Sequence, residues 1–297
     1  MTVIETFELD GPLPHGRLAI EASAGTGKTF TLSTLAARYV AEDGVPINEL
    51  LIVTFTRAAA AELKDRVRAR LVEFANSLKS ATEPDDALLA QIWSEDRQIR
   101  LHRVRTAITE FDAATITTIH GFAQQVIGTL GSTVLTDPDA VLVDDTEAIG
   151  RQVATDLLVA EAINEAHPPA EIPVLKALHH SSRLALNNAD STLVPSTDPA
   201  ESSPRAARLR DLVDEISAEV DRRRRAAGTL SFDDLLSRLR DALHDELAGH
   251  NACQSLRHRY RIALIDEFQD TDPVQWAIFD TVFGQADTDE GDDVTDT

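Results

Sequence analysis

The spacing of apolar residues predicts alternating strands and helices along much of the chain. Short, mostly apolar runs at 17–22, 49–56, 114–119 and 261–268 are typical of strands buried in a parallel sheet. Between them, apolar residues recur three or four positions apart, as in amphipathic helices. The first helix is expected from Lys28 to a stop at Gly44, packing through Phe30, Leu32, Leu35, Ala36 and Tyr39; the second is expected to pack through Leu63, Val67, Leu71 and Phe74. We therefore predict an α/β fold with a parallel sheet covered by helices on both faces.

The middle of the chain has a different pattern. Long, alanine-rich and charged helical segments run through 131–225, interrupted by stretches rich in Pro, Ser and Asp. We interpret this region as a helical insertion that separates a first part of an α/β lobe, 1–130, from a second part, 226–284. The last residues, 285–297, are acidic and lack an apolar period, so we expect a flexible tail.

Composition and charge narrow the class of protein. A 43% hydrophobic fraction and no long apolar run favour a globular protein that does not enter a membrane. The N-terminus lacks the pattern of a signal peptide, and Cys253 is the single cysteine, so we expect a cytoplasmic protein without disulfides. The net charge of −22 argues against a uniformly basic nucleic-acid-binding surface, but a local DNA groove remains compatible with it.

The segment ASAGTGKT, residues 22–29, follows a predicted strand and opens a predicted helix. It fits the phosphate-binding pattern G-x-x-x-x-G-K-[ST], with alanine in the first position. Glycines allow the turn in which successive backbone N–H groups surround phosphates, and the helix N-terminus favours the same anion. In this interpretation Lys28 binds phosphates and Thr29 binds Mg²⁺. The predicted ATP-binding residues are Ala22, Ser23, Ala24, Gly25, Thr26, Gly27, Lys28 and Thr29.

A pair of carboxylates ends the predicted strand 261–268. Asp266 is the candidate ligand of Mg²⁺, Glu267 the candidate base that activates water, and Gln269 a candidate contact of the γ-phosphate. Lys28 and Asp266 are 238 positions apart (266 − 28), which is more than one such lobe requires. This separation agrees with an inserted domain between the two halves of the site.

Five segments resemble one family. EASAGTGKTFTL, LIVTFTRAAAAELKDRV, TITTIHGF, LSFDDLL and LIDEFQDTDPVQW occur in the order found in UvrD/Rep-type superfamily 1 DNA helicases. Within this family the chain is most similar to the RecB-type helicase–nuclease subunits that act in double-strand break repair and recombination. AddA-type relatives are the alternative within the family.

The resemblance implies a RecA-like ATP-binding motor lobe that uses ATP and Mg²⁺, and an ATP hydrolase that acts on DNA. It implies DNA partners, either single strands or duplex ends, and RecC- and RecD-like partner subunits. Two segments match the family's DNA contacts, although Phe55 is nearly as compatible with a core aromatic and a histidine is often structural. The implied DNA-binding residues are Thr54, Phe55, Thr56, Arg57, Thr118 and His120.

The family pattern extends to Phe283 and Gly284 of this sequence. A second lobe completes the ATP site in the family, so we expect the 297-residue chain alone to bind Mg²⁺ and ATP but to show negligible ATP hydrolysis and no DNA unwinding. The alternative from another class is a non-catalytic module that binds a nucleotide or a partner chain. A small-molecule kinase is disfavoured by the pair TFTRAAAAEL and DEFQDTDPVQ.

Overall fold

The computed structural model describes residues 6–21, 27–93, 96–130, 141–142, 146–164, 173–186, 204–245 and 248–284. The chain divides into two compact units. The first, here called the sheet unit, consists of Met1–Val126 and Arg240–Thr297. The second, here called the helical unit, is Ile127–Leu239.

The helices and strands follow one another in an order that begins and ends in the sheet unit. The elements up to the helical unit are α1 (Lys28–Arg38), β1 (Leu50–Thr54), α2 (Arg57–Lys79), α3 (Ala87–Ile92), α4 (Arg97–Thr109), β2 (Thr115–Thr118) and α5 (Ile119–Leu130). Next come β3 (Val141–Leu142), α6 (Thr146–Asn164), α7 (Leu175–Leu186), α8 (Pro204–Ala227), β4 (Thr229–Leu230) and α9 (Phe232–Leu243). The chain then forms α10 (Ala248–Arg259), β5 (Ile262–Ile265) and α11 (Pro273–Phe283).

Among the described residues, the sheet unit contains a three-stranded parallel sheet in the order β2–β1–β5. Its strands lie within the predicted runs 49–56, 114–119 and 261–268. The predicted strand 17–22 is wrong over its described part, because residues 17–21 have no regular secondary structure. Leu18 and Ile20 of this segment are 55% and 38% exposed, so its apolar residues are not covered as those of a buried strand would be.

The core of the sheet unit forms where α1, α2 and α4 pack beside the central strand. All five residues of β1 are buried. The inward face of α2 matches its predicted period, and its four predicted packing residues are each at most 1% exposed. The prediction fails at Phe30, which is 46% exposed and carries the Arg70 guanidinium 4.1 Å from its ring centroid. An arginine covers this ring because α1 turns it away from the core.

Helix α1 continues into a π-helical turn, Tyr39–Asp43, and stops at Gly44 as the sequence predicts. Gly44 has φ 68°, in the left-handed region where glycine is favoured. A Cβ at this position would lie 2.8 Å from the guanidinium of Arg103, which donates hydrogen bonds to the carbonyls of Ala41 and Glu42. Both the backbone angle and this close approach require glycine.

The helical unit is held together by apolar contacts among α6, α7 and α8. Its core residues are completely buried or nearly so, among them Val153, Leu178, Leu212, Ile216 and Val220. The short strands β3 and β4 pair in parallel. The predicted insertion at 131–225 lies within this unit and stays a prediction, and the predicted tail 285–297 lies outside the described residues. In the part of the chain that the structure describes, no helix is both long and apolar enough to cross a membrane.

Candidate nucleotide-binding site

The site forms at the carboxyl edge of the sheet, where β5 ends beside β1. The backbone N–H of Asp266 donates to the Val53 carbonyl at 2.8 Å and extends the ladder by one residue. The parallel register places Val53 opposite Ile265, so Asp266 follows the strand directly beside Thr54. The segment predicted to contact DNA and the acid segment predicted to serve ATP therefore meet at adjacent strand ends, which is where open α/β sheets bind ligands.

Both oxygens of Asp266 accept hydrogen bonds. The Thr54 hydroxyl donates to Oδ2 at 3.3 Å, and the Glu267 backbone N–H donates to Oδ1 at 3.0 Å. Burial, and next the adjacent Glu267 carboxylate, raise the pKa of Asp266 above its ordinary value. A bound divalent cation acts in the opposite direction, because it stabilises the ionised carboxylate.

Glu267 has φ 51° and ψ 40°, the left-handed conformation that non-glycine residues rarely adopt. This turn ends the extended chain and starts a 3₁₀ turn, Phe268–Asp270. Lys28 Nζ donates to Glu267 Oε2 at 3.1 Å, and the Gln269 amide donates to the same oxygen. These two hydrogen bonds, from Gln269 and then Lys28, lower the pKa of Glu267. An unusual backbone angle at this position is a reason to consider a functional role.

Lys28, the other partner of the contact with Glu267, is the first residue of α1 and directly follows Gly27. Gly27 has φ 93°, so the turn into the helix uses a conformation that glycine adopts readily. Thr29 is half-buried in the first turn. The other predicted residues of the phosphate loop, Ala22, Ser23, Ala24, Gly25 and Thr26, lie outside the described residues.

The donor set fits a magnesium–nucleotide complex. A carboxylate and hydroxyl oxygens are the hard ligands that Mg²⁺ prefers, and Lys28 supplies the positive charge that binds phosphate. Within the described ranges, no group of three or more His, Cys, Asp or Glu side chains could hold a metal. Mg²⁺ is commonly held by one or two carboxylates together with substrate phosphates and water.

The residues that the family resemblance implies as DNA contacts differ in exposure. Thr54 is 1% exposed and donates its hydroxyl to Asp266, whereas Phe55 is 47% exposed. Thr56 accepts the Ala59 N–H at 3.1 Å and so caps α2, whose first residue is the exposed Arg57.

The second implied DNA segment lies at the end of β2, whose Thr118 pairs with Thr54 across the ladder. The Thr118 hydroxyl accepts the Gly121 N–H at 3.1 Å, and His120 is half-buried in the first turn of α5. All three strands of the sheet therefore end with candidate functional residues on the same edge.

Two features of this region were not predicted from the sequence. One is the contact between Thr54 and Asp266; a small polar residue ending the strand next to an acid-bearing strand was the available signal. The other is a surface cluster in which Arg17 lies 4.4 Å from the ring centroid of Trp276 and 2.7 Å from Asp280. No pattern in the sequence relates Arg17 to α11, because the contact joins residues 263 positions apart.

A lysine at a helix N-terminus facing acids at the carboxyl edge of a parallel sheet is an arrangement typical of α/β proteins that bind nucleoside triphosphates. The chain belongs to the UvrD/REP helicase family: the model of the UvrD/REP helicase N-terminal domain matches residues 11–289.

Three relatives are RecB subunits of RecBCD enzymes. The protein of Mycolicibacterium smegmatis is 39% identical over 94% of this chain, and that of Mycobacterium tuberculosis is 36% identical over 95%. The protein of Escherichia coli is 27% identical over 93% of this chain. The chain spans 26% of the length of the first two relatives and 33% of the third.

Proposed function

We propose that this chain is the ATP-binding motor lobe of a RecB-type, ATP-dependent DNA helicase that acts in DNA repair and recombination. The observation that carries the proposal is the contact between Lys28 and Glu267, which are 239 positions apart in the sequence. It brings the predicted phosphate-binding lysine to the predicted catalytic acid.

In this proposal each side chain has one role. Lys28 binds the phosphates of ATP, and Thr29 and Asp266 hold Mg²⁺. Glu267 accepts the proton of the attacking water, and Gln269 contacts the γ-phosphate. When bound, Mg²⁺ supplies positive charge that offsets the negative charge developing on the phosphate oxygens.

In the structure, Lys28 and Glu267 form an ion pair, and the Gln269 amide donates to the same carboxylate oxygen. Phosphate binding draws the Lys28 ammonium toward a stronger anionic partner. Glu267 is then released from its ion pair, so that its carboxylate can accept a proton. Lys28 and Glu267 are about one-third exposed, and a contact with such access to water is weak enough to exchange.

The same edge of the sheet supports a DNA-binding role. Phe55 and Arg57 are exposed at the end of β1, and His120 lies at the end of the neighbouring β2. An aromatic face can stack on a base and a guanidinium can bind phosphate, both without sequence preference. DNA, as single strands or duplex ends, is the proposed substrate, and the names of the relatives point to RecC- and RecD-like subunits as partners.

The helical unit is proposed to be the domain inserted between the two halves of this motor lobe. Its compact core, formed by α6, α7 and α8, supports this interpretation. The sheet unit resumes at Arg240 and includes the acid-bearing strand β5.

The nucleotide-binding role is tested by titrating the purified chain with a fluorescent ATP analogue in the presence of Mg²⁺. We expect saturable binding by the wild type and at least a tenfold loss of affinity in Lys28→Ala. Lys79→Ala, which removes an exposed lysine at the end of α2, is the matched control and should bind as the wild type does. Equal affinities for all three proteins would contradict the proposal and favour a module that binds only a partner chain.

A further inference from the structure

We propose that Thr54 is a positioning residue of the ATP site, which orients the Asp266 carboxylate toward Mg²⁺, and not a DNA contact. The assignment rests on the proposed function, because it presumes that Asp266 holds the metal of a bound nucleotide.

The position of Thr54 in the sheet gives it access to one partner. Thr54 is the last residue of β1, the central strand, and it is 1% exposed. Its hydroxyl donates to Asp266 Oδ2, while the backbone hydrogen bond from Asp266 to Val53 fixes the two strand ends side by side. The carboxylate is therefore held by its neighbour on the sheet and not only by its own segment.

The two hydrogen bonds to Asp266 fix both the direction and the rotation of the carboxylate. The Glu267 N–H on Oδ1 comes from the adjacent residue and moves with it, whereas the Thr54 hydroxyl on Oδ2 belongs to a different strand. Each carboxylate oxygen keeps a free lone pair for a cation. Partners of this kind commonly set the affinity of a metal site, because they hold the ligand in its binding orientation.

Thr54 differs from the residue that follows it in position, exposure and hydrogen bonding. Thr54 is the last residue of β1, whereas Phe55 lies beyond the strand, in the short connection to α2. Phe55 is 47% exposed and available to a DNA strand, whereas the Thr54 hydroxyl is covered and already donates its proton to Asp266. One short segment thus serves two purposes: its buried threonine supports the ATP site, and its exposed residues face outward.

The test compares Thr54→Val, which keeps the shape of the side chain but lacks the donor, with Thr54→Ser, which keeps the donor. The affinity for a fluorescent ATP analogue is measured with Mg²⁺ and again with EDTA, and the affinity for a labelled single-stranded oligonucleotide is measured alongside. We expect Thr54→Val to lose about tenfold or more of the affinity gained from Mg²⁺. Its affinity in EDTA and for the oligonucleotide should not change, and Thr54→Ser should retain most of the gain.

The outcomes distinguish this assignment from the proposed function. A wild type that gains no affinity from Mg²⁺ overturns the proposed function and the assignment with it. A wild type that gains affinity, together with a Thr54→Val variant that gains as much, overturns the assignment alone. So does a Thr54→Val variant that loses oligonucleotide affinity and keeps the Mg²⁺ effect. If Thr54→Val does not fold by circular dichroism, Thr54→Ala is judged by the same criteria.

Discussion

Replacing Asp234 with alanine should destabilise the helical unit more than the loss of an exposed carboxylate in the same unit does. Asp234 Oδ2 accepts the Arg224 guanidinium at 2.9 Å and the Ser231 N–H at 3.0 Å. In return the Asp234 N–H donates to the Ser231 hydroxyl at 3.1 Å, so the two residues form a reciprocal cap at the start of α9. One carboxylate therefore joins the end of α8 to the start of α9.

The expected loss of unfolding free energy follows from the burial of Arg224, whose side chain is 6% exposed. Its Nε and Nη2 have no hydrogen-bond partner among the described residues, so Asp234 is its principal acceptor. Removing one partner of a buried ion pair costs about 3–5 kcal/mol, and loss of a cap costs about 1 kcal/mol. The two losses overlap, and Asp221 still interacts electrostatically with Arg224, so we expect a total of about 3 kcal/mol.

The assay is urea unfolding followed by circular dichroism, which reports on all helices. Trp93 and Trp276 are the only tryptophans and both lie in the sheet unit, so their fluorescence follows that unit separately. Asp211→Ala on α8 is the matched control, because Asp211 lies in the same unit and is 49% exposed in its ion pair with Arg210, so its loss should cost less than about 1 kcal/mol. A free energy of unfolding for Asp234→Ala within about 0.5 kcal/mol of that of this control would show that the Asp234 carboxylate does not join the two helices.

Three further predictions follow from particular contacts. Burial raises the pKa of Tyr39 to about 12, so the folded state favours the neutral phenol, and this contribution to stability is fully present below pH 10. Relative to Tyr39→Phe, the free energy of unfolding of the wild type should fall by about 1.4 kcal/mol between pH 9 and 11. Gly121→Ala places a Cβ 2.3 Å from the Thr117 hydroxyl and should lower the melting temperature, whereas Gly128→Ala on the same helix meets no atom within 4 Å and should raise it. Phe55→Ala should weaken binding of a single-stranded oligonucleotide by about tenfold with an unchanged circular dichroism spectrum, and an unchanged affinity would remove Phe55 from the DNA site.

Apolar periodicity was sufficient to predict the central strand β1 and helix α2, because both elements bury the residues that form the pattern. It failed at 17–22, where an equally apolar run has no strand in its described part. A strand needs a neighbour for its backbone hydrogen bonds, and no period within a segment says whether that neighbour exists. It failed at Phe30 for a related reason, since the arginine that covers the ring comes from another helix.

In the candidate site, too, local sequence patterns identified some residues, whereas contacts between distant segments could not be predicted from them. Spacing and residue type were enough to select Lys28, Asp266 and Glu267 as candidates. The contact between Thr54 and Asp266 was not predicted, because it depends on which strand lies beside β5 and on the register between them. The contacts of a side chain at a strand end depend on the neighbouring strand, and the tertiary fold determines which strand that is.

Lys28 and Asp266 are proposed to belong to one site for Mg²⁺ and ATP. A double-mutant cycle tests this coupling: the affinity for a fluorescent ATP analogue in Mg²⁺ is measured for the wild type, Lys28→Ala, Asp266→Asn and the double variant. We predict that the double variant loses at least about 1 kcal/mol less than the sum of the single losses, because each change removes part of the same interaction. Losses that add to within about 0.3–0.5 kcal/mol would show that the two residues act independently, and would contradict a shared site.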